Sequence, residues 1–198
     1  MLHMDYIALA TYLFVMIVTP GPNDMMVTAS GANFGYLRTV PHLLGICLGC
    51  SLQTLLACLG LGAIFVRFPL LHTILLWVGL VYMLYLAWKI LGIKLKNDQS
   101  VPEPLTIIEA ALFQIVNAKA WVVSLTVASL FLPHQGSLVI PTLIIVAMVI
   151  VVTYSCASLW AMFGSAMRNI LQNERNRMVF NIVMAVLLVI TAIMIVVK

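Results

Sequence analysis

Long apolar runs separated by short polar segments make up most of this 198-residue chain. Long stretches contain no Asp, Glu, Lys or Arg, among them residues 6–23, 69–88, 120–167 and 178–197. An α-helix needs about 20 apolar residues to cross the hydrocarbon core of a bilayer. None of these stretches sustains the alternation of polar and apolar residues that the strands of a membrane barrel require. The pattern therefore predicts transmembrane helices.

Six helical units are predicted, at residues 5–34, 41–66, 69–91, 105–132, 138–167 and 177–197. The stretch 120–167 is too long for one crossing, and Pro133 and Gly136 favour a turn that divides it. The clearly polar connection is the loop 92–104. We predict a single transmembrane domain over 1–198, in which this loop joins a first repeat (approximately 1–95) to a second (approximately 105–198).

The composition agrees with a membrane location. Hydrophobic residues make up 64% of the chain and charged residues 8%, and the mean hydropathy is +1.14. A water-soluble chain of this size needs more polar residues to cover its surface, so lipid is the expected solvent. The N-terminus has no basic region of the signal-peptide type, which predicts that the first helix is retained. No basic run indicates a nucleic-acid partner.

The distribution of Lys and Arg predicts the orientation. Seven of them lie in the connections one–two, three–four and five–six: Arg38, Lys89, Lys94, Lys96, Arg168, Arg175 and Arg177. The opposite side has Arg67 and Lys198. The positive-inside rule places the larger group in the cytoplasm. Both termini are then predicted to be periplasmic.

The first unit is interrupted inside its apolar run by Thr19-Pro20-Gly21-Pro22-Asn23-Asp24. A residue that precedes proline is disfavoured in helical conformation, and proline suits the first position of a new helix. The positive end of that new helix would face the break, where a substrate carboxylate is one candidate occupant. The alternative is a simple proline kink.

The fourth unit carries three polar side chains within an apolar segment, Gln114, Asn117 and Lys119. The two interruptions lie about half a chain apart, and three helices per half would make any repeat inverted in the membrane. Inverted repeats with paired broken helices are typical of secondary transporters. We predict an all-α integral membrane protein of six transmembrane helices, arranged as two inverted three-helix repeats with helices one and four broken.

Each polar residue of the two breaks allows more than one role. Asp24 can pair with Lys119, bind a substrate amino group, carry a proton, or only stabilise a helix N-terminus. Lys119 can reach towards an interface, neutralise Asp24, contact a substrate carboxylate or take part in a proton-coupled switch. Gln114 and Asn117 share a helix face, where they can bind substrate or a neighbouring helix.

The segment Gly45–Gly49 has the small-xxx-small pattern of a helix-packing face, within one protomer or in a homodimer. Cys47 and Cys50 lie in and next to it, as packing residues or as a redox-active dithiol. The chain has four histidines, but they form no metal-binding pattern, and no catalytic or cofactor motif occurs. We expect no metal, no cofactor and no enzymatic activity.

Two groups of residues carry a resemblance to a known family. The first half contains Thr19-Pro20-Gly21-Pro22-Asn23, then Gly31-Ala32-Asn33-Phe34-Gly35-Tyr36 with Arg38, and then Leu44-Gly45-Ile46-Cys47-Leu48-Gly49. The second half contains Phe113-Gln114-Ile115-Val116-Asn117-Ala118-Lys119-Ala120-Trp121. Together with the length and the mid-chain loop, these motifs resemble the lysine exporter/threonine exporter (LysE/RhtB) family over the whole chain.

The resemblance implies export of amino acids or close derivatives across the bacterial inner membrane, coupled to proton influx. It looks closest to the branch that exports neutral amino acids or cysteine-pathway metabolites. The motif positions give the expected substrate-binding residues Pro20, Gly21, Pro22, Asn23, Gln114, Asn117, Lys119 and Trp121. Asp24 is added on its own chemistry, because family members vary at that point. Ala118 replaces the usual proline, which predicts a milder second break.

Two other functions are left open by the residues. The first is a membrane thiol–disulfide carrier that uses Cys47 and Cys50. The second is a divalent-metal exporter, although clustered histidine or acidic ligands are lacking. The favoured hypothesis is a proton-coupled exporter in which the first break binds the carboxylate of the substrate, and Asp24 or Lys119 changes its protonation state.

Overall fold

The structure, a computed structural model, describes residues 5–61, 67–91, 103–133 and 137–196. These ranges contain helices and turns but no β-strand. The α-helices are α1 (Tyr6–Val18), α2 (Pro22–Phe34), α3 (Tyr36–Cys58), α4 (Pro69–Leu91), α5 (Ile107–Val116), α6 (Ala118–Phe131), α7 (Val139–Ala166) and α8 (Glu174–Val196). A 3₁₀-helix, Met167–Gln172, connects α7 to α8.

Within the described residues, the helices make four to six spans. Helices α3, α4, α7 and α8 are each long and apolar enough to cross a membrane. Helices α1 and α2 meet this criterion together, with a bend of 59°, and α5 and α6 do so with a bend of 71°. Counting each bent pair as one span gives six. An all-α membrane protein with broken first and fourth units is therefore confirmed.

The expectation of a milder second break is wrong, since 71° exceeds 59°. The cause is the backbone of Asn117, which is extended at φ −83° and ψ 97°. Its N–H bonds the Gln114 carbonyl oxygen at 3.1 Å, three residues back rather than the helical four. Asparagine favours such positions at the start of a helix. A proline is thus not needed to end α5.

The predicted start of the second unit at residue 41 is also wrong, because α3 begins at Tyr36. Gly35 adopts φ +86°, a left-handed value that glycine tolerates, and it separates α2 from α3. Pro41 lies in the second turn of α3, where it removes one helical hydrogen bond without ending the helix. The predicted end of this unit at residue 66 and most of the loop 92–104 lie outside the described residues.

Each broken unit begins with a residue whose side chain hydrogen-bonds backbone N–H groups of the first helical turn. The Asp5 carboxylate accepts hydrogen bonds from the N–H groups of Ile7 and Ala8 at 3.0 and 2.9 Å. At the start of α5, Thr106 Oγ1 accepts from the Glu109 N–H at 3.2 Å, while Glu109 Oε2 accepts from the Thr106 N–H at 2.8 Å. This reciprocal pair satisfies two amides that the helix itself cannot bond.

The packing links the two halves of the chain. Helix α2 packs mainly on α7, and α5 packs mainly on α3. Each broken unit therefore rests on the middle helix of the other half, while α4 packs on α8. The order of units is the same in both halves, as the repeat hypothesis expects. The inversion of the halves, the repeat boundaries and the side on which the termini lie stay predictions.

Helix α3 shows which of its faces is adapted to lipid. The exposed fractions of Leu48 and Leu52 are 55% and 53%. Gln53 and Thr54 of the same helix are 4% and 1% exposed. Burying polar groups while exposing large apolar ones suits a chain whose surroundings are hydrocarbon.

The small residues of α3 are used inside one protomer. A Cβ atom on Gly45 would lie 2.7 Å from Ala110 Cβ of α5 and still closer to the Ile107 carbonyl oxygen. A Cβ on Gly49 would lie 2.7 Å from the Ala111 carbonyl oxygen. Only glycine permits this close approach, so Gly45 and Gly49 set the distance between α3 and α5.

We expect Gly45→Ala to destabilise the protein, because the added methyl group forces α3 away from α5. Overpacking of this kind costs about 1 to 3 kcal/mol. Thermal unfolding of the detergent-purified protein measures the effect. Leu48→Ala is the control, since Leu48 faces outward on the same helix. An equal midpoint for Gly45→Ala and the unaltered protein would show that the α3–α5 contact is not tightly packed.

Candidate functional site

The two helix breaks meet at the side chain of Gln114. Asn23, beside the first break, exchanges two hydrogen bonds with it: Asn23 Nδ2 donates to Gln114 Oε1, and Gln114 Nε2 donates to Asn23 Oδ1, both at 3.1 Å. Asn117, at the second break, donates from Nδ2 to Gln114 Oε1 at 3.0 Å. A single amide therefore joins the start of α2 to the start of α6.

Gln114 is itself held from two further sides. Its side-chain Nε2 donates to the Ala110 carbonyl oxygen at 2.9 Å. Its backbone carbonyl oxygen accepts from Gln53 Nε2 at 3.1 Å. The Cys50 thiol lies 3.6 Å from Oε1. Gln114 and Asn117 are each 1% exposed. Because a buried amide without partners is costly, this network fixes the positions of both breaks.

An ion pair lies beside the amide network. Lys119 Nζ is 3.6 Å from Asp24 Oδ2, and their side chains are 24% and 6% exposed. Lys119 also donates to the Thr19 carbonyl oxygen. A Cβ on Gly21 would lie 2.8 Å from Lys119 Cδ. A larger residue at Gly21 would therefore displace the lysine side chain from its present path across the first break.

The helix ends explain the arrangement of these charges. Asp24 lies in the first turn of α2, where the positive end of the helix stabilises a carboxylate. Lys119 lies in the first turn of α6, where the same effect disfavours an ammonium group. Thr19 follows the last residue of α1, so its carbonyl belongs to a negative helix end. Asp24 and this carbonyl compensate for the unfavourable position of Lys119.

A central cavity lies next to the ion pair, between α1, α2, α3, α6 and α7. Its polar lining consists of Asn23, Asp24, Cys50, Thr54, Asn117, Lys119, Ser124 and Thr153. The rest of the lining is apolar, and small-molecule sites likewise combine apolar walls with a few polar groups. The arrangement can bind a small molecule that carries both a positive and a negative charge.

The side-chain oxygen of Asn117, an acceptor in this lining, has no hydrogen-bond partner among the described residues. Asn117 Nδ2 bonds Gln114, but its Oδ1 is buried without a hydrogen bond. Buried polar atoms are nearly always paired. Besides the Asp24 carboxylate, Asn117 Oδ1 is therefore a second acceptor in the lining for a bound cationic group.

The nine expected site residues occupy different places. Pro22, Asn23, Asp24, Asn117 and Lys119 line the central cavity. Gln114 lies behind it as their common anchor, and Gly21 faces Lys119. The other two are not among the cavity-lining residues. Pro20 is exposed in the first break, and Trp121 Nε1 donates to the Ile115 carbonyl oxygen at 2.8 Å.

Sequence reasoning missed three hydroxyl residues of the lining. Thr54 and Ser124 share a hydrogen bond of 2.9 Å, and Thr153 faces the same cavity from α7. Isolated Ser and Thr residues are common in membrane helices, where they usually bond their own backbone. The sequence signal was therefore too weak to find them.

The structure also shows where the residues lie on which a thiol–disulfide carrier or a metal exporter would depend. Cys47 and Cys50 are free thiols, and Cys50 lines the cavity. In the ranges that the structure describes, no group of three or more His, Cys, Asp or Glu residues could hold a metal ion. His42 is 1% exposed within α3, away from the cavity lining.

Comparisons with known proteins give one consistent result. A family model described as "LysE type translocator" matches residues 14–198. Proteins described as "Cysteine/O-acetylserine efflux protein" from Escherichia coli (strain K12), Shigella sonnei (strain Ss046) and Salmonella choleraesuis (strain SC-B67) are 30% identical over 187 residues. Each match covers 92% of this chain and 93% of the relative. No solved structure matches the chain.

Replacing Gln114 should destabilise both breaks, because its side chain hydrogen-bonds a residue at each of them. Gln114→Leu keeps most of the volume but leaves the amides of Asn23 and Asn117 without their partner, at about 1 to 3 kcal/mol for each unsatisfied group. We expect the midpoint of thermal unfolding in detergent to fall by about 5 °C or more.

The matched control for this change is Asn176→Leu, which removes one exposed hydrogen bond, to the Ile170 carbonyl oxygen. Its midpoint should stay close to that of the unaltered protein. If both variants unfold at the same temperature, Gln114 does not anchor the breaks.

Proposed function

The chain belongs to the LysE type translocator family and is an amino-acid efflux transporter of that family, and on this premise we propose that it exports a small neutral amino acid from the bacterial cytoplasm, coupled to proton influx. The proposal places it in the inner membrane, with both termini periplasmic. The relatives are described as exporting cysteine and O-acetylserine. Both are small amino acids with one carboxylate and one ammonium group.

The observation that carries this proposal is the Asp24–Lys119 pair in the wall of the central cavity. A zwitterion brings its own positive and negative charge, so it can exchange partners with a buried ion pair and leave no charge uncompensated. The substrate carboxylate would bind Lys119 and the backbone amides at the start of α2. The ammonium group would bind Asp24 and Asn117 Oδ1.

Asp24 is our candidate for the proton carrier. Among the described residues it is the carboxylate in the cavity lining, and it is 4% exposed. A proton from the periplasm would neutralise Asp24 and weaken its electrostatic interaction with the ammonium group. The substrate would then be released outward. Loss of this proton to the cytoplasm would restore the Asp24–Lys119 pair and prepare the inward-facing state. One proton enters and one substrate molecule leaves.

Efflux from preloaded cells tests the export function. Cells that express the chain should release radiolabelled cysteine, O-acetylserine or another small neutral amino acid faster than cells without it. Lys119→Ala should lower the rate at least tenfold, because a buried charge that loses its partner costs several kcal/mol.

The control is Lys89→Ala, since Lys89 lies on α4 and is not part of the cavity lining. It should export like the unaltered chain. If the inserted, unaltered chain accelerates the release of no amino acid in the panel, the proposed function is wrong.

Inside-out membrane vesicles test the proton coupling, because uptake into them corresponds to export. An acidic lumen should accelerate substrate uptake by the unaltered chain. Asp24→Asn cannot bind or release a proton at this position, so any remaining uptake should not respond to the gradient. The control is Glu103→Gln, at an exposed carboxylate before α5. A full gradient response by Asp24→Asn would exclude Asp24 as the proton carrier.

A further inference from the structure

Thr153 has a hydroxyl group whose hydrogen-bonding capacity is unused within the protein. The residue is 3% exposed, and no group among the described residues bonds its Oγ1. The ion pair and the amide network do not involve it. A buried hydroxyl without a partner is unusual enough to need an explanation.

Several other hydroxyl residues in these helices bond a carbonyl of their own helix. Ser155, two residues further along α7, donates to the Val151 carbonyl oxygen at 2.8 Å. Thr28 and Thr191 bond the carbonyl four residues back at 2.6 and 2.8 Å. This local bond is the usual solution for Ser and Thr in a helix. Thr153 differs from them, which leaves its hydroxyl available to another group.

The position of Thr153 in the cavity wall makes its hydroxyl accessible to a molecule bound there. Val149, Thr153 and Ala157 are spaced by four residues and line the central cavity from α7. Ile46, Cys50 and Thr54 line it from α3 with the same spacing. The other two hydroxyl groups of the lining, those of Thr54 and Ser124, already bond each other.

We propose that Thr153 is a specificity-determining residue, which hydrogen-bonds a polar side chain of the transported amino acid. This inference rests on the proposed function and extends it to the substrate side chain. Asp24 and Lys119 bind the two charged groups that every amino acid has, so they do not distinguish one side chain from another. Thr153 supplies a third contact, with a hydroxyl, thiol or ester group of a short side chain.

A hydrogen bond to the Thr153 hydroxyl would discriminate strongly between substrates with and without a polar side chain. A substrate that lacks the polar group leaves the buried hydroxyl unpaired, whereas an apolar pocket discriminates weakly between molecules of similar shape. The exporter should therefore prefer serine, cysteine and O-acetylserine to L-2-aminobutyrate, in which a methyl group replaces the hydroxyl or thiol.

The test measures efflux of L-serine and L-2-aminobutyrate from the same cells, loaded with both. The ratio of the two rates does not depend on the amount of protein in the membrane. The unaltered chain should favour serine, and Thr153→Val should lower the ratio about tenfold, the effect of losing one hydrogen bond in a buried site. Thr153→Ala removes the same hydroxyl without adding volume and should lower it similarly.

Two variants complete the design. Thr153→Ser retains a hydroxyl and should retain most of the preference. Thr191→Val makes the same chemical change on α8, outside the cavity lining, and should leave the ratio unchanged.

An unchanged ratio in both Thr153→Val and Thr153→Ala would overturn the inference and leave the exporter proposal intact. If the unaltered chain exports no amino acid, the proposed function fails and this inference fails with it.

Discussion

Backbone polar groups cannot be left exposed to hydrocarbon, and this constraint organises the molecule. A helix bonds its own amides and carbonyls, but each break in α1–α2 and α5–α6 frees several of them. The two breaks are therefore brought together inside the molecule at the Gln114 amide, which links Asn23 to Asn117. Polar side chains gather where the backbone is irregular, which is also where a polar substrate can be accommodated inside a bilayer.

The charges of the site follow from the same geometry. The ends of α1, α2 and α6 meet at the breaks, so their terminal amides and carbonyls create local fields within a few ångströms of each other. Lys119 bonds the carbonyl end at Thr19 and lies 3.6 Å from Asp24. Each charge is stabilised mainly by groups that a zwitterion could replace. In the proposed function, this exchange lets the substrate enter without leaving an unpaired charge.

Close helix packing keeps this arrangement in place. Gly45 and Gly49 bring α3 against α5 at the positions that lead to Gln114. Helix α2 rests on α7 in the other half of the chain, so each break is supported by the half to which it does not belong. Helices α3 and α7 then present side chains at four-residue spacing to one cavity. Thr153 belongs to this cavity wall, not to the broken segments.

The sequence by itself determined the class of protein and the location of both breaks, because apolar length and helix-breaking residues are local properties. It also supplied most of the polar groups at the breaks, including Asp24, Gln114, Asn117 and Lys119. It missed that the chain bends by 71° at Asn117 without a proline, and that α3 begins after Gly35, before Pro41. Only the tertiary structure separated Gln114, the anchor, from the residues that line the cavity, and only it added Thr54, Ser124 and Thr153. Which polar groups face one another depends on packing between helices far apart in the chain, and a local pattern does not contain that information.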